Sequence, residues 1–286
     1  MRYERPETIA DATALLAGAK DGAFVLAGGT DLLVKMQNDD FEANLVVDIK
    51  SIDGMCDIVE TADGFTIGAT VPCAALSENA ALSAAWPGVV EAANLIGSTQ
   101  IQGRCTMAGN LCNASPAADS VPALVAADAQ VLIAGPDGVR SASVIDVPTG
   151  PGRTSLQKGE IIQAVVLKKP QPHSGDAYLR FIPRTEMDIA VVGVGVHLVL
   201  GDGGAIESAR IALGAVGPKV VLAEKAAKEI VGTRLEDSAL AAMAAACSAA
   251  SSPIDDKRGT VDFRKQVAGV LARRAARIAY DRAGGK

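Results

Sequence analysis

The order in which strand and helix patterns occur constrains the fold of this chain more than any other feature of the sequence. Residues 169–175, which read Lys-Pro-Gln-Pro-His-Ser-Gly, mark the clearest boundary because proline and glycine interrupt regular structure. Beyond it, the patterns predict strands over residues 177–182, 189–200 and 209–214, followed by helices over residues 221–231, 237–249 and 260–282. Strands first and helices last predict an antiparallel sheet with helices packed on one face.

The part of the chain before this boundary mixes short strands with helices. Residues 98–115 lack helical periodicity, and Asp63-Gly64 predicts a hairpin turn. The sequence therefore predicts the α+β class, with one domain over residues 1–172 and another over residues 173–286. The predicted helices span residues 7–18, 82–96 and 119–127, and the predicted strands span residues 24–27, 45–49, 57–60, 65–68, 130–134 and 161–167.

Composition excludes several functional classes. The 286 residues carry 27 basic and 33 acidic side chains, and the resulting net charge of −6 argues against general nucleic-acid binding. Aromatic residues make up only 3%, too few for a surface of stacked rings. No run reaches the roughly 18 apolar residues of a membrane helix, so we predict no membrane span. The five cysteines contain no C-x-x-C pair, which favours a reducing cytoplasm and no metal site.

The C-terminal segment is basic although the whole chain is acidic. Residues 257–286 carry nine Lys or Arg residues against Asp262 and Asp281, a local charge of +7. One interpretation is a solvated helix with cations near its C-terminal end, where the helix dipole favours positive charge. The other is a docking surface for an acidic partner.

Two glycine-centred loops are the strongest candidates for a binding site. Glycine turns can aim successive N–H groups into one concavity that binds phosphate oxygens. Two such loops on one chain predict a site that holds a diphosphate from both sides, although each loop alone is also compatible with a plain turn. The first loop consists of Val25, Leu26, Ala27, Gly28, Gly29, Thr30, Asp31 and Leu32, and the second consists of Thr106, Met107, Ala108, Gly109 and Asn110.

Residues for acid–base or nucleophilic catalysis are scarce. The two histidines, His173 and His197, lie in the boundary segment and in an apolar strand, where structural roles are expected. Cys105 and Cys112 flank the second loop and are typical of small packing residues. Neither G-x-G-x-x-G nor G-x-x-x-x-G-K-[ST] occurs, which argues against a Rossmann site or a P-loop. The pattern favours a bound cofactor as the chemical agent, with no catalytic side chain on this chain.

Three segments and the end of the chain form a distinctive set. They read Ala-Gly-Gly-Thr-Asp-Leu-Leu over residues 27–33, Ile-Gln-Gly-Arg-Cys-Thr-Met-Ala-Gly-Asn-Leu over residues 101–111 with Ala-Ser-Pro-Ala-Ala-Asp over residues 114–119, Arg-Thr-Glu-Met-Asp-Ile-Ala over residues 184–190 and Phe-Arg-Lys-Gln-Val-Ala-Gly-Val-Leu over residues 263–271. Together they resemble the FAD-binding medium subunit of the molybdenum hydroxylases, a family that includes the flavoproteins of carbon monoxide dehydrogenase and xanthine dehydrogenase. The resemblance covers nearly the whole chain, and the length matches that of a free-standing subunit.

The resemblance implies a PCMH-type FAD-binding fold of two subdomains, divided near residue 54, followed by the C-terminal flavoprotein domain. It implies FAD on this chain, bound along both loops. It also implies a large partner subunit with the molybdenum cofactor and a small one with two [2Fe–2S] clusters, assembled as a dimer of heterotrimers. Electrons would pass from the clusters through FAD to an external acceptor. Further flavin-contacting positions implied by the resemblance are Ile96, Asp119, Ile162, Arg180 and Ile189, of which Asp119 would accept hydrogen bonds from cofactor hydroxyls.

The chain departs from the family pattern at two points. The second loop commonly reads T-I-G-G-N, and here Met107 and Ala108 occupy its second and third positions. Ala108 suits the loop only if its φ is negative and its methyl group does not meet the cofactor. Asp31 would repel a diphosphate unless its carboxylate points away or pairs with a cation. Two alternatives therefore remain open, a free-standing flavin oxidoreductase and a non-catalytic assembly subunit that has lost FAD.

Overall fold

The structure is a computed structural model that describes residues 1–38 and 40–285. It combines helices with four sheets, which confirms the predicted α+β class. The apolar core forms two clusters, one drawn mainly from the chain before residue 168 and one from residues 177–283. Across the described residues, none of the helices combines the length and the apolar character that crossing a bilayer requires.

The first sheet has three parallel strands in the order β1-β3-β2. Parallel neighbours need crossover connections, and a helix lies in each one. Thr8 caps the first helix, since its hydroxyl accepts a hydrogen bond from the N–H of Asp11 at 3.1 Å. The elements are β1 (Arg2–Glu4), α1 (Ile9–Gly18), β2 (Ala23–Leu26), α2 (Leu32–Gln37) and β3 (Leu45–Asp48).

The second sheet has five antiparallel strands, and six short helices are inserted between its second and third strands along the chain. Its spatial order is β4-β5-β10-β6-β7, and a separate small hairpin, β8-β9, precedes β10. The elements are β4 (Ile58–Thr61), β5 (Gly64–Gly68), α3 (Cys73–Glu78), α4 (Ala80–Ala85), α5 (Pro87–Ala93), α6 (Thr99–Gln102), α7 (Met107–Cys112), α8 (Ser120–Ala126), β6 (Gln130–Gly135), β7 (Gly138–Ser143), β8 (Pro148–Gly150), β9 (Arg153–Thr154) and β10 (Ile161–Lys168).

Two sequence predictions for this region are wrong. The helix predicted over residues 82–96 is two helices, α4 and α5, because Pro87 has no N–H to continue the first helix and begins the second. The stretch predicted to be non-helical, residues 98–115, contains α6 and α7. The hydroxyl of Thr106 caps α7 by accepting a hydrogen bond from the N–H of Gly109 at 2.9 Å.

The third sheet forms the C-terminal half and is antiparallel throughout, as predicted. A further prediction is wrong at residues 221–231, where a two-residue strand precedes a short helix. The elements are β11 (Ser174–Phe181), β12 (Val192–Leu200), β13 (Ile206–Gly214), β14 (Val221–Leu222), α9 (Glu224–Lys228), α10 (Asp237–Ala250) and α11 (Val261–Arg282).

Both faces of this third sheet are covered. The valines and leucines at even positions of β12 lie on the face covered by α11, and α10 packs against α11, so the C-terminal helices lie on one face as predicted. The opposite face packs against α5 and α8 of the first half. Gly195 permits this approach, since a Cβ there would lie 2.5 Å from the carbonyl oxygen of Pro122. The two halves of the chain are therefore joined by direct backbone packing.

Candidate functional site

A cleft lies where the loop after β2 meets the start of α7 and the start of β10. Its volume is about 360 Å³, within the range of about 300–1,000 Å³ typical of small-molecule sites. Of the residues predicted to bind a cofactor, the cleft is lined by Val25, Ala27, Gly28, Gly29, Thr30, Asp31, Leu32, Ile96, Thr106, Ala108, Gly109, Asn110 and Ile162. The structure thus brings the two glycine-centred loops to one site, with two isoleucine side chains beside them.

Gly28 of the first loop contacts the backbone of Arg104 and Cys105, the residues that lead into the second loop. A Cβ on Gly28 would lie only 2.2 Å from the carbonyl oxygen of Arg104, so glycine is needed for this contact. Gly29 has a φ of +80°, which disfavours any side chain, and a Cβ there would lie 2.9 Å from Leu26. Ala108 is not among the residues with positive φ, which meets the backbone condition for its fit. Clearance between its methyl group and a cofactor stays a prediction.

Successive N–H groups of the first loop are free to bind an anion. Among the described residues, the N–H groups of Gly28, Gly29 and Thr30 have no hydrogen-bond acceptor. The three residues are half-buried and line the cleft, so their donors are available to an acceptor that enters it. Consecutive donors of this kind suit the oxygens of a phosphate group.

A polar bridge links the first loop to the helix of the second loop. The amide Nδ2 of Asn113 donates to Oδ1 of Asp31 at 3.0 Å, and Oδ1 of Asn113 accepts from Nζ of Lys35 at 2.6 Å. Burial raises the pKa of Asp31, although the charge of Lys35 opposes this effect. Asp31 and Lys35 are thus bridged by the amide of Asn113 and form no direct ion pair among the described contacts.

Several cleft residues were not predicted from the sequence. Phe24 and Phe41 stack with their ring centroids 4.0 Å apart and line the cleft, although few aromatic residues occur in the chain. Lys35 lies four residues after Asp31, one helical turn along α2. This spacing could have predicted from the sequence that the two side chains lie on the same side of the helix. The remaining lining comes from distant segments without a local motif, including Ile49, Cys105, Thr154, Leu156, Glu160 and Ile161.

Five predicted site residues lie outside the lining of this cleft, namely Leu26, Met107, Asp119, Arg180 and Ile189. Asp119 is buried, and its oxygens accept from the hydroxyl of Tyr178 at 3.0 Å and from Arg180 at 2.8 Å. Burial raises the pKa of Asp119 to about 6, against the opposing charge of Arg180. Asp119 occupies the N-cap position of α8, but its side chain makes no capping hydrogen bond to that helix. Ile189 is about half exposed, at 52%. Contact between these residues and a cofactor stays a prediction.

The histidines and cysteines show no catalytic arrangement in the described part of the chain. His197 packs against Trp86 with ring centroids 5.1 Å apart, and burial lowers the pKa of His197 to about 4. His173 is exposed in the segment before β11. The five cysteines are free thiols, and within residues 1–38 and 40–285 no group of three or more ligating side chains lies close enough to hold a metal ion.

Comparison with known proteins identifies the class to which this architecture belongs. A family profile described as the FAD binding domain in molybdopterin dehydrogenase matches residues 1–170. A second, described as the CO dehydrogenase flavoprotein C-terminal domain, matches residues 177–279. The fold is therefore that of an FAD-binding flavoprotein.

Individual relatives define the family more closely. The chain is 33% identical over 281 residues to the carbon monoxide dehydrogenase medium chain of Afipia carboxidovorans, covering 98% of this chain and 97% of that one. It is 30% identical over 286 residues to a xanthine dehydrogenase FAD-binding subunit of Escherichia coli O157:H7, covering 99% and 97%. The chain belongs to the family of FAD-binding subunits of the molybdenum hydroxylases, as the sequence resemblance implied.

Solved structures agree with this assignment. A chain of reconstituted CO dehydrogenase from Oligotropha carboxidovorans matches with a TM-score of 0.93 at 33% identity, covering 98% of this chain and 97% of that one. A chain of carbon monoxide dehydrogenase from Hydrogenophaga pseudoflava matches with a TM-score of 0.94 at 29% identity, covering 99% and 98%. The predicted two-part FAD-binding fold with its C-terminal domain is confirmed.

Proposed function

We propose that this chain holds FAD in the cleft and passes electrons from the [2Fe–2S] clusters of a partner subunit, through FAD, to an external acceptor. The observation that carries the proposal is the run of three free N–H groups at Gly28, Gly29 and Thr30, set against the second loop. FAD contains a diphosphate, and backbone donors can bind its oxygens without adding a charge to the site.

The residues present fit this cofactor. FAD, when bound, supplies a group that accepts and donates one or two electrons, so this chain needs to bind and orient rather than to transfer protons. The first loop and residues 106–110 would hold the diphosphate. The isoleucines at positions 96, 161 and 162 would exclude water from the flavin ring. The bridge through Asn113 holds the carboxylate of Asp31 by a hydrogen bond, which supports the predicted approach of a phosphate to the backbone donors.

The partner subunits that we propose for this chain are those implied by its family. We infer a large partner subunit with the molybdenum cofactor and a small partner with two [2Fe–2S] clusters, arranged as a dimer of heterotrimers. The free thiols support a location in the cytoplasm, where cysteines stay reduced. The FAD-binding domain is proposed to span residues 1–172, with its two subdomains divided near residue 54, and the second domain residues 173–286.

The basic C-terminal segment contributes less free charge to a partner surface than its composition suggests. Four of its arginines pair with acidic residues of this same chain. These pairs favour the interpretation as a solvated helix. The basic residues of the segment outside these four pairs could still form a surface that binds an acidic partner. The pairs are Arg258–Asp188, Arg264–Asp256, Arg277–Asp237 and Arg282–Glu91.

Co-purification with the proteins of neighbouring genes tests this function. We expect a complex with a large molybdopterin-type subunit and a small cysteine-rich subunit, and one FAD for each copy of this chain. The isolated chain should bind FAD but oxidise no substrate. A flavin-loaded chain that turns over a substrate alone would support a free-standing oxidoreductase instead. A complex that contains this chain without FAD would support an assembly subunit.

A further inference from the structure

Lys50 contacts the first loop from outside the cleft. It follows β3, and its Nζ donates to the carbonyl oxygen of Ala27 at 3.2 Å. Ala27 immediately precedes Gly28, whose N–H is the first of the three free donors. Lys50 itself does not line the cleft. Its contact is therefore with the backbone that presents the donors rather than with the space that a ligand would occupy.

The ammonium group of Lys50 is itself held in place by a buried carboxylate. Oδ1 of Asp48 accepts from Nζ of Lys50 at 2.7 Å and from its backbone N–H at 3.1 Å. Oδ2 of Asp48 accepts from the hydroxyl of Tyr3 at 2.5 Å. Burial acts to raise the pKa of Asp48, but these hydrogen bonds outweigh it and lower the pKa below its ordinary value. The carboxylate therefore stays charged and keeps Lys50 fixed.

Peptide geometry connects this contact to the cleft. The carbonyl of Ala27 and the N–H of Gly28 belong to one planar trans peptide, so they point in opposite directions. Fixing the carbonyl toward Lys50 fixes the direction of the N–H on the other side. Gly28 also meets Arg104, two residues before the second loop, so the orientation of this peptide affects the approach of both segments.

We propose that Lys50 is a positioning residue, which, through the carbonyl of Ala27, orients the N–H of Gly28 toward the diphosphate of FAD. This inference rests on the proposed function, since it assumes that FAD occupies the cleft. The chain from Tyr3 through Asp48 to Lys50 thus links the N-terminal strand to cofactor binding, although none of these three side chains lines the cleft.

The test compares the dissociation constant of FAD for the refolded or flavin-depleted chain and its variants. Lys50→Met removes the charge-assisted hydrogen bond, and we expect affinity to fall about tenfold. Lys50→Arg should retain affinity within about threefold, because a guanidinium can donate to both partners. Lys168→Met serves as the matched control, since Lys168 also pairs with an aspartate but is 71% exposed and lies outside the cleft. The phosphorus resonances of bound FAD should shift in Lys50→Met only.

The outcomes separate this inference from the proposed function. If the unaltered chain binds no FAD, both are overturned. If it binds FAD and Lys50→Met binds equally well, the positioning role alone is overturned. A lower melting temperature with unchanged FAD affinity would make Lys50 merely structural. Should Lys50→Met fail to fold, Tyr3→Phe takes its place, because Tyr3 is 52% exposed and its loss should weaken FAD binding about threefold. No change in that variant would also overturn the role.

Discussion

Replacing Gly28 by alanine tests whether the contact between the two loops matters for FAD. The added Cβ would lie 2.2 Å from the carbonyl oxygen of Arg104 and 2.9 Å from the Cα of Cys105. Because both obstacles are backbone atoms, the loops must separate by about 1 Å to reach ordinary contact. Such overpacking costs about 1–3 kcal/mol. A ligand that binds both loops has to restore their approach, so its affinity should fall by about 10- to 100-fold.

The assay is a titration of the flavin-free chain with FAD, followed by visible absorbance, beside a control variant from the same segment. Gly103→Ala adds the same methyl group one residue before Arg104. Its Cβ would lie 3.8 Å from the nearest atom, and its φ of −69° accepts alanine. We expect Gly103→Ala to bind FAD as the unaltered chain does. Equal affinity of Gly28→Ala and Gly103→Ala would refute the idea that FAD bridges the two loops.

Three further predictions concern the bridge beside the cleft and the packing between the two halves. Asn113→Ala removes the link between the loops and should weaken FAD binding about threefold to tenfold in the same titration, whereas unchanged affinity would contradict that role. Burial raises the pKa of Asp176 to about 6, so the unfolding free energy should fall by up to about 3 kcal/mol as pH rises from about 4 through 6. Urea unfolding of Asp176→Asn should show a smaller decline, because Asp119, whose pKa is also raised to about 6, still contributes, and the same slope in both proteins would contradict it. Arg282→Met removes contacts from α11 to α5 and β11 and should cost about 1 kcal/mol in thermal unfolding, while the exposed Arg277→Met should cost less. Equal losses would show that the Arg282 contacts are not stabilising.

The sequence predicts the elements that carry regular apolar patterns. The antiparallel C-terminal sheet and helices α10 and α11 follow from strand alternation and from one apolar helical stripe. The separation of α4 from α5 at Pro87 could have been predicted from the sequence, because proline favours the first turn of a helix. Helix α7 is not predicted because it contains glycine and asparagine, which disfavour helices. Thr106 is the residue that could have indicated its start, since threonine is a common N-cap. Strand β7 was missed because its side chains are largely exposed and lack alternation.

The candidate site likewise contains features that local sequence predicts and contacts that it does not predict. The two glycine-containing segments are local in sequence, and their residue types predict turns; the first is a loop with free donors, whereas the second is the start of α7. Their contact at Gly28 and Arg104 depends on how the two segments fold together. The same holds for the stacking of Phe24 on Phe41 and for the reach of Lys50 to Ala27. These contacts join distant segments, and no local periodicity encodes them.

The central claim is that the cleft between the two loops binds FAD through its diphosphate. The most direct measurement is a titration of the flavin-free chain with FAD and, separately, with FMN, which has a single phosphate and no adenosine. We expect saturable binding of one FAD per chain, with flavin absorbance retained on gel filtration, and much weaker binding of FMN. A chain that stays colourless after exposure to excess FAD would contradict the assignment of this cleft.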